Sequence, residues 1–161
     1  MKKFLALLLA AVMMLSLAAC GSSEETTVSD VAVAMITDYG DITDQSFNQT
    51  TWEAVIKFGE DNGVAYKYYK PTSNDTAGRV ASVELAIAEG YNVIVMPGYA
   101  FGGTIAEVSA NYPEIKFIAL DVAAGDLLET GVALKGESYD YNPDNWNLTD
   151  YVYMDNVYCA I

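Results

Sequence analysis

The 161-residue chain has no histidine, two cysteines, four prolines and only eight basic residues. Each shortage removes a class of chemistry. Without histidine there is no Ser-His-Asp or Cys-His nucleophile, and the commonest zinc ligand is missing. Cys20 and Cys159 by themselves build neither a disulfide framework nor a four-cysteine metal site. The basic residues face 22 acidic ones, for a net charge of −14. Binding to nucleic acid rests on neutralising phosphates, so this balance argues against it and equally against electrostatic attraction to anionic lipid. The chain also lacks a G-x-x-x-x-G-K-[ST] phosphate loop. These absences leave no catalytic constellation, no metal site and no cofactor, and they point away from an enzyme.

What is present begins with an export signal. Lys2 and Lys3 precede an apolar run over residues 4–15, too short to span a bilayer comfortably. It ends in L-A-A-C at residues 17–20, which resembles the lipobox of bacterial lipoproteins, where the cysteine receives diacylglycerol before cleavage. Residues 1–19 thus read as a lipoprotein signal peptide and Cys20 as the lipidation site. The predicted location is the extracytoplasmic face of the cell membrane, held by lipid. More than one acyl chain is needed for stable anchoring, which a diacylated cysteine supplies. Residues 20–29, rich in Ser, Thr and Glu, form a flexible tether. Cleavage leaves six basic residues against 22 acidic ones, a charge of −16.

From residue 30 to 135 the chain alternates between strand and helix patterns. Residues 31–36 are a near-continuous apolar strand, as expected when both sheet faces are covered. Residues 46–62 are a helix that Gly63 ends, opened by an S-x-x-Q capping box of Ser46 and Gln49. Strands follow at 64–69, 91–96 and 115–120. Between them lie helices at 77–89 and 104–112, the second opened by a T-x-x-E box of Thr104 and Glu107 and stopped by Pro113. Strands alternating with helices predict an α/β, doubly wound parallel sheet with right-handed crossovers. Residues 136–156, rich in Tyr, Asn and Asp, break the rhythm and read as a long surface loop or insertion. Another strand starts near residue 156. Asp140, Asp144 and Asp150 fail the EF-hand spacing, which argues against calcium.

Parallel strands bring the loops at their carboxyl ends to one edge, where open α/β sheets bind ligands. That edge gathers Asp38 and the 44–48 segment after the first strand, and residues 71–75 after the second. Tyr99 and Phe101 follow the third strand and Asp121 the fourth. Rings that stack, carboxylates that accept paired hydrogen bonds from a diol, and an amide suit a neutral ligand with a flat face and several hydroxyls. The bland alternatives are capping for Ser46 and Gln49, a packing role for Phe47, a solvated side chain for Asn48, a turn position for Asp121 and a core position for Trp52.

Three segments carry a family resemblance: D-Y-G-D-I-T-D-Q-S-F-N-Q from residue 38, G-Y-N-V-I-V-M-P-G-Y-A-F from residue 90, and F-I-A-L-D from residue 117. Behind a lipobox, they resemble the basic membrane protein family of surface lipoproteins of the purine nucleoside receptor type. The resemblance implies a type I periplasmic-binding fold of two lobes that close on a nucleoside, and delivery to the permease and ATPase subunits of an ABC importer. By that analogy Phe47 stacks on the base, Asn48 hydrogen-bonds it, Asp121 holds ribose hydroxyls and Asp38 borders the pocket. Tyr99 and Phe101 fall where the family often places a further aromatic residue. Only the first lobe is expected here, so the half-cleft should bind weakly. A sugar or autoinducer-like ligand in the same fold is the closest alternative. An acidic, magnesium-dependent receiver-like domain is more distant, since it lacks a lysine near the strand ends.

Overall fold

The computed structural model describes residues 30–160; the expected signal peptide, Cys20 and the tether lie outside them. Five strands form one parallel sheet: β1 (Ala32–Ile36), β2 (Ala65–Tyr69), β3 (Val93–Pro97), β4 (Lys116–Leu120) and β5 (Val157–Ala160). Their order is β2-β1-β3-β4-β5. The helices are α1 (Phe47–Asn62), α2 (Thr76–Ala88), α3 (Gly102–Val108) and α4 (Ala124–Leu134). The expected doubly wound α/β architecture is therefore present. The chain steps from β1 to β2 on one side, then crosses to β3 on the other. This reversal between β1 and β3 is the switch point outside which a crevice opens at the strand ends.

The period-two alternation of the strands sorts their side chains onto two faces. Val33, Met35 and Val95 join Val55 and Val64 and the half-buried Trp52 under α1. Trp52 meets Tyr66 and Tyr68 edge-on at 5.8 and 5.2 Å between centroids. Ala34, Ile36, Ile94, Met96, Phe117 and Ala119 face the other way, where they bury Val83, Ile105 and Leu127 from α2, α3 and α4. One face thus carries a single helix and the other carries three. Next to α1, an apolar groove of about 450 Å³ runs past Phe47, Phe58, Val93 and Ile118 to Leu120.

Several helix starts differ from the sequence reading. The N–H of Ser46 and the N–H of Gln49 both donate to Asp44 Oδ1, at 2.8 and 3.2 Å, while Gln49 Oε1 accepts from the N–H of Gln45. Asp44, not Ser46, caps α1, because its longer side chain reaches forward to the first turn. Helix α3 begins at Gly102, fed directly by a 3₁₀ turn over Tyr99–Phe101. Thr104 consequently lies inside the helix, fully buried, and its Oγ1 has no hydrogen-bond partner among the described residues; the predicted capping box does not form. Helix α4 has no start signal in its sequence and two glycines within it. Tertiary packing makes it: Leu127, Leu128 and Val132 are buried, and the Asp126 carboxylate accepts the N–H of Ala123 at 2.7 Å.

Residues 136–156 hold two short 3₁₀ turns and no α-helix or strand, and they are tied down. Asp140 accepts from Trp146 Nε1 at 2.7 Å and Asn145 Nδ2 at 2.6 Å. Asn156 is buried and donates to the carbonyls of Ser109 and Tyr112, at 3.1 and 2.8 Å. Strand β5 then pairs with β4. Helices α3 and α4 touch at Gly102, where an added Cβ would lie 2.3 Å from the carbonyl oxygen of Asp126. Backbone cannot swing aside as a side chain can. Gly102→Ala should therefore destabilise residues 20–161 by about 1–3 kcal/mol, read as a lower urea midpoint at unchanged slope.

Candidate functional site

The loop after β1 is built around one buried amide. Asn48, in the first turn of α1, is 4% exposed. Its Nδ2 donates to Asp38 Oδ1 and to Asp44 Oδ2, each at 2.9 Å. Its Oδ1 accepts the N–H of Asp38 at 3.3 Å. Both amide hydrogens are thus consumed inside the protein. Held between two carboxylates, Asn48 is a staple of the loop. Gly40 permits this approach, since a Cβ there would sit 2.6 Å from Asn48 Nδ2.

Asp38 is half-buried and differently disposed. Its Oδ1 takes the N–H groups of Tyr39 and Gly40, both at 2.7 Å, as well as the Asn48 amide. Every hydrogen bond that the described residues give this carboxylate goes to Oδ1. Oδ2 is left to accept from outside. Burial pushes the carboxyl up, but the Gly40 N–H, the Asn48 amide, the Tyr39 N–H and the Arg79 charge outweigh it and hold Asp38 below its ordinary value of 3.8. Asp44 is lowered too, chiefly by the Asn48 amide.

Phe47 opens α1 with 41% of its surface exposed, and it lines the apolar groove together with Leu120. Tyr99 is 71% exposed on the 3₁₀ turn after β3. Gly98 makes that turn possible with a φ of 115°, a region open to glycine. Asp121 follows β4, exposed, with a left-handed φ of 59° and its N–H donated to the Ala160 carbonyl at 2.7 Å. Aspartate tolerates that conformation better than most residues. Phe101 is corrected: it is fully buried in the core beneath α2–α4 and offers no ring to the edge. The turn Tyr99–Phe101 points successive side chains in different directions, so one ring is outside and the other inside.

Asp38, Phe47, Tyr99 and Asp121 therefore stand on the strand-end loops of one edge, while Asn48 and Phe101 support it from below. Sequence reading missed Arg79, the chain's single arginine. It sits 7% exposed in the opening turn of α2 and donates to the Asp38 carbonyl. The available signal was electrostatic. A cation near a helix N-terminus opposes the macrodipole and implies another reason for its presence.

Two outcomes follow from the loop chemistry. Asn48→Ala removes the amide that ties Asp38 to Asp44 and should cost about 1–3 kcal/mol in urea denaturation, since hydrogen bonds to charged groups contribute that much. Asp38 has a folded pKa below its unfolded one, so its contribution is complete above 3.8 and is lost as pH falls through the lower folded value. The melting temperature should drop as pH is taken from about 5 to about 3, and the drop should be shallower in Asp38→Asn.

Residues 31–141 match the Bmp family, described as ABC transporter substrate-binding protein PnrA-like. The CD4+ T-cell-stimulating antigen of Listeria innocua is 34% identical over 122 residues, covering 68% of this chain and 34% of that protein. The ABC transporter nucleoside-binding protein BmpA of Lactococcus lactis is 28% identical over 119 residues, covering 68% and 33%. The chain thus spans about a third of the length of these curated relatives. Among solved structures, an ABC transporter solute-binding protein of Aeropyrum pernix K1 aligns with a TM-score of 0.52 at 26% identity, over 58% of this chain and 25% of that one. A lipoprotein fragment from Peptoclostridium difficile 630 shares the fold, with a TM-score of 0.53 at 17% identity over 80% and 83%. With the family match extending over most of the described residues, the chain belongs to the Bmp family of PnrA-like ABC transporter substrate-binding proteins.

Proposed function

We propose that the protein captures purine nucleosides outside the cytoplasm and hands them to the permease and ATPase of an ABC importer, held at the membrane through lipid on Cys20. The observation that carries the reading is the pairing of exposed rings with carboxylates that have acceptor capacity to spare, on one edge beside the β1/β3 switch point. Phe47 or Tyr99 offers a face to a flat base, where stacking contributes about 1–3 kcal/mol. Asp38 Oδ2 and the Asp121 carboxylate accept from ribose hydroxyls, and hydrogen bonds to charged groups contribute about 1.5–3 kcal/mol each. The edge chemistry is acidic, which favours a neutral nucleoside over a phosphorylated nucleotide. The Lactococcus lactis relative is named for nucleoside binding, and this reading extends that ligand class to the present chain.

The test is a titration of residues 20–161 with inosine, followed by amide shifts at the strand-end loops. Shifts should concentrate at residues 38–47, 98–101 and 121, with glucose producing none. Phe47→Ala and Asp121→Ala should each weaken inosine binding at least about tenfold, equivalent to ~1.4 kcal/mol. Unchanged affinity in both variants would remove these residues from the site.

A further inference from the structure

The single arginine stands where the strand-end loops meet. Burying a guanidinium is costly unless its donors are used, and here three different loops use it. Nε donates to the main-chain carbonyl of Asp38, after β1, at 2.8 Å. Nη2 donates to Asn74 Oδ1, after β2, at 2.6 Å. The guanidinium carbon lies 5.8 Å from the ring centroid of Phe101, after β3. The neighbouring Gly78 lets the β2 loop close in, since a Cβ there would meet the Ser73 carbonyl oxygen at 2.7 Å.

We propose that Arg79 is the positioning residue of the ligand edge: one buried guanidinium holds the loops after β1, β2 and β3 in fixed relation, so that Asp38, Phe47 and Tyr99 meet a ligand already arranged. The role of these loops in ligand capture rests on the solute-binding reading above; the clamp itself does not. The geometry requires a planar fork with donors in two directions and a face for Phe101. Lysine has the charge but neither the fork nor the face. Preorganisation of this kind raises affinity by removing the ordering cost at the moment of binding. It also explains why Phe101 is inside: its ring is the shelf on which the cation rests.

Amide hydrogen exchange and carboxyl NMR titration of residues 20–161 test the clamp without any ligand. In Arg79→Lys, the Tyr39 and Gly40 amides that donate to Asp38 should exchange roughly tenfold faster. Asp38 should also titrate at a different pH from wild type. Sheet amides such as Phe117, bonded to the Asn156 carbonyl at 2.9 Å, should keep their protection. Asn74→Ala removes one arm from an exposed loop and should move the same amides less. It keeps the test available if Arg79→Lys fails to fold. Unchanged exchange at Tyr39 and Gly40 in both Arg79→Lys and Asn74→Ala would overturn the proposal. Inosine titration of the same samples separates the two readings. Wild-type shifts that weaken in Arg79→Lys support the link to binding. No wild-type shifts count against the nucleoside reading, while the exchange data still decide the clamp.

Discussion

Parallel pairing of β1 with β3, after the chain has already placed β2 on the other side of β1, is the constraint on which the rest depends. Each parallel step requires a crossover, and each right-handed crossover puts its helix on the face set by the direction of travel. One step in one direction and three in the other leave one helix on one face and three on the opposite one. The same geometry sends every strand-end loop to a single edge. The gathering of the loops at one edge is therefore a consequence of strand order before any side chain is considered.

Side-chain chemistry then divides that edge into two layers. The outer layer holds the groups open to the outside: the half-exposed ring of Phe47, the exposed ring of Tyr99, the second oxygen of Asp38 and the carboxylate of Asp121. The inner layer holds what keeps these in place: Asn48 between two carboxylates, Arg79 between three loops, and Phe101 beneath the guanidinium. Asn48 and Arg79 are polar or charged yet buried, with the Asn48 amide hydrogens and the Nε and Nη2 of Arg79 engaged. An unpaired polar group at these positions would cost more than the bond it makes contributes. The loops are thus held by bonds that are individually modest but expensive to break.

Much of the fold was legible in the sequence. The apolar run before β1, the glycine that ends α1 in a left-handed conformation, and the strand–helix alternation up to β4 all follow from local periodicity and stop signals. Helix α4 was not legible, because Ala124–Leu134 contains two glycines and no capping residue ahead of it; its stability comes from α3 and the core. The capping motifs misled for a related reason. S-x-x-Q and T-x-x-E are satisfied by sequence spacing alone, but Asp44 reached the α1 turn first, and the Tyr99–Phe101 turn started α3 two residues before Thr104.

Sequence by itself determined the parallel α/β sheet and the edge at which polar and aromatic residues gather. These depend on composition and on periodicities of 2 and 3.6, which are local properties. Only tertiary structure decided which of those residues face outward. Asn48 and Phe101 were turned inward and Arg79 was brought in from an unremarked helix start, because satisfying buried polar groups depends on partners 10 and 41 residues away in the chain. Pattern reading sees spacing along the backbone. The hydrogen bonds that hold this edge together close across it.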